Sequence, residues 1–248
     1  MSEGELPFGR DRSFALAHAS GYFFRMSDSS YIHGTDHAEQ ARLASFNDLV
    51  NGSFLEFLDL DNATSVLEVG SGLGILTSEV ARRFPEATVT GVEISESQIS
   101  QARQKSLPNL SFVHGDANGL PFGDETFDVV YCRWVLEHLS EPDRVLSEVL
   151  RVLKPGGRFF IDEVDVSSQR YDPPTPHFDT AWQAVTQLQK KLDGDNQLGR
   201  KLPRLLASAG FSAVIAVAAP AVFQSGTADF STWVDNERVI IEGCANEL

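Results

Sequence analysis

From Ser65 to about Ala219 the chain alternates short apolar runs, rich in β-branched and aromatic residues, with helix-length amphipathic segments. No other feature constrains the fold as much, because strands that alternate with helices predict a parallel sheet covered on both faces. The runs are Ser65 to Val69, Thr88 to Ile94, Leu110 to Val113, Phe127 to Tyr131, Arg158 to Val164 and Ser212 to Ala219. Between them, Gly74 to Phe84 places Leu76, Val80 and Phe84 at helical spacing and stops at Pro85, while Ser95 can cap a helix that runs to about Ser106. A further helix opens at Ser140 with Glu141-Pro142 and turns Val145, Leu146, Val149, Leu150 and Leu153 to one face. Lys154-Pro155-Gly156-Gly157 reads as its stop, followed by a turn.

Residues 1–60 read as a largely helical N-terminal cover, with Leu43, Phe46, Val50, Phe54 and Leu58 on a helical stripe. Residues 61–165 carry the strand–helix core, 166–210 an inserted helical lid and the helix before strand six, and 211–248 a C-terminal strand and tail. The whole is expected to be a single domain. Within the lid segment, Phe178, Trp182, Val185 and Leu188 share one face, which suits either a cover over an apolar pocket or ordinary core packing. A formal net charge of −15 repels a phosphate backbone, so nucleic acid is not the expected partner. The uncharged stretch Leu205 to Ala228 is broken by Gly210, Pro220 and Gly226, and reads as strand and turn instead of a membrane span. Two cysteines, Cys132 and Cys244, supply neither a disulfide framework nor a metal cluster, and a cytoplasmic location is expected.

One strand runs straight into a glycine loop, Glu68-Val69-Gly70-Ser71-Gly72-Leu73-Gly74, with a helix behind it. Glycines allow a tight turn against which a ligand can lie on bare backbone. The spacing Gly70-x-Gly72-x-Gly74 differs from the G-x-G-x-x-G of dinucleotide sites, and Glu68 beneath it suits an ammonium or sulfonium better than a pyrophosphate. Glu93 ends the second strand about 20 residues after the loop, where a carboxylate can accept both hydroxyls of a ribose. Asp116 follows the third strand in His114-Gly115-Asp116-Ala117, where it can meet a purine amine or simply cap a turn.

These residues, followed in order by Leu120-Pro121-Phe122 to Val130, Val135-Leu136-Glu137-His138-Leu139 and Leu153-Lys154-Pro155-Gly156-Gly157, resemble the class I S-adenosylmethionine (SAM) dependent methyltransferases of the small-molecule group that includes the ubiquinone and menaquinone enzymes. The resemblance covers Ser65 to Val164 and implies an α/β fold, a Rossmann-like doubly wound sheet with SAM as cofactor. It implies that backbone at Gly70 and Gly72 holds the methionine part, that Glu68 supports the loop, and that Glu93 binds the ribose. Ile94 would pack on adenine, with Asp116 and Ala117 at its edge, and backbone at Cys132 and Arg133 would pass beside the sulfonium. Upstream, Tyr31 and Arg42 resemble an element that closes over the SAM carboxylate, although Arg42 can equally be a surface residue of an amphipathic helix.

Methyl transfer from a sulfonium is an in-line displacement that needs alignment and exclusion of water more than a covalent nucleophile. Where a base is required, His138 is the candidate, its alternative being a structural histidine beside the cofactor. Glu163 at the end of the fifth strand, with Phe178 and Trp182 of the lid, is expected on the acceptor side, the acceptor being a small, partly apolar metabolite. An NAD-dependent oxidoreductase would share the sheet and the ribose acid but not the glycine spacing, and the chain has no Tyr-x-x-x-Lys. Asp172-Pro173-Pro174-Thr175 lacks the aromatic of amino-methylating nucleic-acid enzymes and follows the wrong strand. A SAM-binding, non-catalytic partner protein remains open, as does a homodimer. The resembling sheet has seven strands, and after the sixth only Val239-Ile240-Ile241 offers a short strand, which reads equally as helix. Without a seventh strand, a sheet edge would need cover from the N-terminal segment or another molecule.

Overall fold

The computed structural model describes residues 14–19 and 37–245, with side chains described for 45–47 and 49–244. The alternating runs become β2 (Ser65–Val69), β3 (Thr88–Glu93), β4 (Leu110–His114), β5 (Phe127–Arg133), β6 (Leu153–Glu163) and β7 (Ala213–Ala218). The helices between and around them are α1 (His37–Phe57), α2 (Ile75–Arg83), α3 (Glu96–Ala102), α4 (Pro142–Val152), α5 (Pro176–Lys191), α6 (Leu202–Ala209) and α7 (Ala228–Ala245). Of the expected helices, α3 is the one that stops early: Arg103 still folds back on Ile99, but the chain then turns toward Pro108. The glycine stop after α4 is no separate turn, because Leu153 already pairs with Phe127 and β6 carries the Pro-Gly-Gly as a register irregularity before Arg158 meets Val129.

The missing seventh strand is resolved at the other end of the sequence. Phe14–Ala19 forms β1, which the helical reading of residues 1–60 had not included, and it lies parallel between β6 and β7. The sheet order is β4-β3-β2-β5-β6-β1-β7, and every described pairing in it is parallel. Val239, Ile240 and Ile241 belong to α7 instead. A gap one strand wide between β6 and β7 would leave two rows of backbone groups unpaired, and β1 satisfies both.

Period-two alternation divides the strand residues between two cores. Leu67, Val69, Val130, Cys132, Phe159 and Ile161 face α4 and α6, packing on Val145, Leu146, Leu202 and Leu206. Val66, Val89, Val129, Tyr131 and Phe160 face α1 and α2, packing on Phe54, Leu55, Leu76 and Val80. A third cluster roofs the C-terminal end of the strands, where Phe46 of α1 meets Val164, Trp182 and Val185 around α5 and Trp233, Ile240 and Cys244 of α7. The Trp182 indole N–H donates to Glu237 Oε2 at 2.9 Å inside this roof. No described helix is long and apolar enough to cross a membrane.

At the opposite end of the strands Asp128 joins three of them. Its Oδ2 accepts from the backbone N–H and hydroxyl of both Thr64 and Ser65, and its Oδ1 accepts from Lys154 Nζ at 2.7 Å. Burial alone would raise its pKa, but the Lys154 ammonium with the Ser65 and Thr64 donors holds the carboxyl well below the usual range. Glu237 is the reverse case, its carboxyl pushed up to about 8 by burial against the weaker pull of its donors.

Asp128→Asn should lower unfolding free energy at neutral pH by about 1.5–3 kcal/mol, the usual worth of hydrogen bonds to a charged group. A depressed pKa contributes stability that is present above the unfolded value and lost as pH falls through the folded one, so in urea melts the gap should close under acid. Glu237→Gln keeps an acceptor for Trp182 but cannot ionise. A raised acid binds a proton in the native state that the unfolded chain releases, so wild-type stability should fall relative to the variant as pH rises from 4.5 to about 8.

Candidate functional site

In an open parallel sheet, ligands bind beyond the strand C-termini where the strand order reverses direction. Here that point lies between β2 and β5, which are paired neighbours although β3 and β4 intervene in sequence. The loops leaving β2 and β5 therefore face one another. Gly70 at φ 72° and Gly74 at φ 68° turn the first loop sharply into α2. A methyl group on Gly70 would lie 2.5 Å from Val135 Cγ2 of the second loop, so the two loops meet without room for a side chain.

Each loop is held from below by a buried carboxylate. Glu93 Oε2 accepts from Gly72 N–H at 2.9 Å and its Oε1 from Ser95 N–H at 2.8 Å. Burial raises its pKa against those bonds. Glu163 accepts from Val135, Leu136 and Glu137 N–H at 3.0, 2.7 and 3.2 Å, and burial pushes it up to about 8. Trp134, at φ 57°, donates its own N–H to the Asp162 carbonyl.

Two cavities flank the contact between the loops and share Gly70 and Val135 as their common wall. The first, about 120 Å³, is bounded by Glu68, Gly72 and Glu93 on one side and by Arg133, Trp134 and His138 on the other. The second, about 80 Å³, is bounded by Ile94, Asp116, Ala117 and Leu139. Glu68 accepts the Tyr131 hydroxyl at 2.9 Å, and burial foremost lifts its pKa to about 7. Asp116 Oδ1 accepts from both the backbone and the side-chain amide of Asn118, so the turn-capping role is realised. Ile94 is 38% exposed, an apolar side chain open to a ligand face.

Glu68, Gly70, Gly72, Glu93, Arg133 and His138 thus come together in one cavity, and Ile94, Asp116 and Ala117 in the other. Arg133 enters with its side chain and not only its backbone. His138 stands beside Glu137, whose Oε1 lies 3.7 Å from its Nε2. Burial, and after it the nearby Glu163, raise the Glu137 carboxyl well above its ordinary range.

The acceptor-side expectations fare differently. Glu163 is fully buried with its oxygens turned to the loop N–H groups, and it lines neither cavity. A strand-end acid can serve a ligand or a loop, and here three free N–H groups take it. Trp182 and Phe178 lie in the roof, Trp182 bonded to Glu237 and Phe178 packed edge-on against Tyr171 at 4.7 Å, and neither borders the two cavities. The α5 stripe is thus packed in the roof, and Trp182 also lines a separate cavity of about 480 Å³ with Tyr171, Asp179 and Gln183. Helix α5 still reaches the site through its end, where Gln189 Nε2 and Asp195 N–H donate to the Glu137 carbonyl. Nearby, Arg200 and Lys201 are paired with Asp165 and Asp195. Tyr31 and the side chain of Arg42 lie outside the described residues.

Asn47, Gln98, Ser71 and Trp134 also line the first cavity and were not singled out in the sequence. The only signal for Asn47 was its place on α1, four residues before Asn51, which puts both amides on one helical face.

Comparison with known proteins bears on residues 67–161, which match the methyltransferase domain family. A 37.1 kDa protein of transposon TN4556 from Streptomyces fradiae is 29% identical over 232 residues, covering 90% of this chain and 65% of that protein. The ubiquinone/menaquinone biosynthesis C-methyltransferase of Pseudomonas paraeruginosa is 33% identical over 141 residues, covering 51% of this chain and 55% of the relative. The crystal structure of a SAM-dependent methyltransferase from Aquifex aeolicus superposes with a TM-score of 0.53 at 22% identity, covering 71% of this chain and 89% of that one, a likeness of fold. The chain spans between 41% and 65% of the first curated relatives it matches. Residues 67–161 thus match the methyltransferase domain family, and with its glycine loop and its switch point between β2 and β5 this core has the fold of the SAM-dependent methyltransferases and resembles the ubiquinone/menaquinone enzymes.

Proposed function

We propose that this protein, as a single domain, transfers the methyl group of SAM to a small, partly apolar metabolite in the cytoplasm. The observation that carries the reading is the pair of cavities joined at Gly70 and Val135, one acid-lined and one with an apolar face, which suit the amino acid and adenine ends of one elongated cationic cofactor. Two features of this structure fit SAM. The cradle at Gly70 admits backbone approach but no side chain, and Ser71 Oγ and Arg133 Nη1, both at the first cavity, are buried without a hydrogen-bond partner.

In this reading the backbone of Gly70 and Gly72 holds the methionine part and Glu93 accepts the ribose hydroxyls. Glu93 is already fixed by Gly72 and Ser95, so it is oriented before the ligand arrives. Ile94 packs on the adenine, and Asp116 with Ala117 borders its edge. Glu68, poised near half-ionisation, becomes a full anion beside the positive end of the ligand. When bound, SAM supplies an activated methyl group on its sulfonium. The protein's own task is then to align an acceptor and keep water away. The Trp134 ring, 5.6 Å from Phe46, supports an aromatic wall for an apolar acceptor, and His138 is placed to hold or remove a proton. The charge of −15 favours a neutral or cationic acceptor.

Incubation with methyl-labelled SAM and small-molecule extracts, read by mass spectrometry, should show a metabolite gaining the label; labelled nucleic acid or no labelled product would refute the substrate reading. Glu93→Ala should weaken SAM binding by about 1–3 kcal/mol in calorimetry, and an unchanged affinity would refute the ribose role.

A further inference from the structure

We infer that the Arg133 guanidinium is the anchor for the carboxylate at the amino acid end of the cofactor, and that Asn47 and Asn51 of α1 are the residues that position it. The inference rests on the cofactor reading above and adds to it a recognition device on a helix that precedes the glycine loop.

Arg133 is the last residue of β5, and its guanidinium carbon lies 4.4 Å from the centre of the Trp134 ring and 5.7 Å from that of Phe54. One nitrogen, Nη2, donates to both Asn47 Oδ1 and Asn51 Oδ1, the latter at 2.6 Å. The orientation of the Asn51 amide is not arbitrary. Its Nδ2 donates to Glu79 Oε2 of α2 at 2.9 Å, so its oxygen must face the arginine. Two acceptors occupy Nη2, while Nη1 is buried with no hydrogen-bond partner. A buried guanidinium N–H without an acceptor is costly, and a planar fork with one nitrogen already held is preorganised for a carboxylate on the other.

The place of that nitrogen selects the ligand group. Arg133 lines the cavity together with Glu68, Gly70 and Gly72, and among the described residues lining it Arg133 is the one Arg or Lys. The amino acid end of the cofactor is a zwitterion. Its ammonium suits Glu68, and its carboxylate would be repelled by both Glu68 and Glu93 unless a cation received it. The relay from Glu79 through Asn51 to Arg133 also ties α1 to the site, so filling the carboxylate position reinforces the seat of α1 on the sheet.

The test compares two ligands on the full-length protein by calorimetry. S-adenosylhomocysteine carries the amino acid end, whereas 5′-methylthioadenosine has the same adenosine and thioether without it. Arg133→Met should weaken S-adenosylhomocysteine about 10- to 100-fold while leaving 5′-methylthioadenosine within about twofold. Asn51→Leu, which preserves the arginine but frees its orientation, should show a smaller loss of the same selectivity. Parallel loss of both ligands in either variant would mean a merely structural role and overturn the inference. So would an unchanged S-adenosylhomocysteine affinity in Arg133→Met, or the selective loss arising only in Arg42→Met. If the unaltered protein binds neither ligand, the cofactor reading itself fails, a result distinct from those.

Discussion

Loops that leave a parallel sheet at its C-terminal end expose backbone N–H groups with no strand to receive them, and in this protein buried carboxylates receive them. Glu163 takes three from the turn after β5, and Glu93 takes Gly72 and Ser95 across the turn after β2 and the start of α3. Neither acid is only a local cap. Each reaches from the end of one strand to a loop that follows another, or the same, strand, and so fixes the two loops relative to the sheet. The contact between Gly70 and Val135 that divides the site depends on both. An accepted N–H is worth most where water is excluded, and the same exclusion is what lifts the pKa of these acids.

The molecule accordingly uses acids in two ways at its two ends. At the N-terminal ends of β2, β5 and β6, Asp128 is half-buried, ionised and paired with Lys154, an ordinary electrostatic staple. At the site end, Glu68, Glu137, Glu163 and Glu237 are buried and biased toward the neutral form. A cluster of anions there would repel one another. Neutral carboxyls can sit close together, and a cationic ligand arriving next to Glu68 finds an acid that can still give up its proton. The formal charge of −15 thus overstates the charge carried by the folded site.

Much of this architecture was legible because the central strands β2, β5 and β6 bury apolar residues on both faces, and a run such as Val129-Val130-Tyr131-Cys132 has no other way to be buried. The loop glycines and Glu93 were legible for a similar reason, since their spacing follows from the turn and the ligand together. β1 was not legible, because Phe14-Ala15-Leu16-Ala17-His18-Ala19 is half alanine, and alanine carries little strand preference; only a fold-level deficit of one strand pointed to it. Glu163 and Trp182 stayed ambiguous because strand ends and aromatic stripes serve ligands and packing alike; the bonds of Glu163 to the loop N–H groups and of Trp182 to Glu237 could not be read from spacing. Asn47 and Asn51 gave no signal beyond their four-residue spacing on α1, because their amides bond to Arg133 and belong to no motif.

The position of β1 also has a bearing on how the chain can be assembled. Phe14 lies opposite Arg158 on one side and Ala213 on the other, so this strand must wait until more than 140 further residues are made before either neighbour exists. Contacts so distant in sequence slow folding, because the intervening chain must be ordered first. β2 to β5 can pair while synthesis continues, whereas β6, β1 and β7 close as a late unit. During that interval the amide edge of the half-built sheet is open, the state in which a nascent chain of this design is most exposed to pairing with the wrong partner.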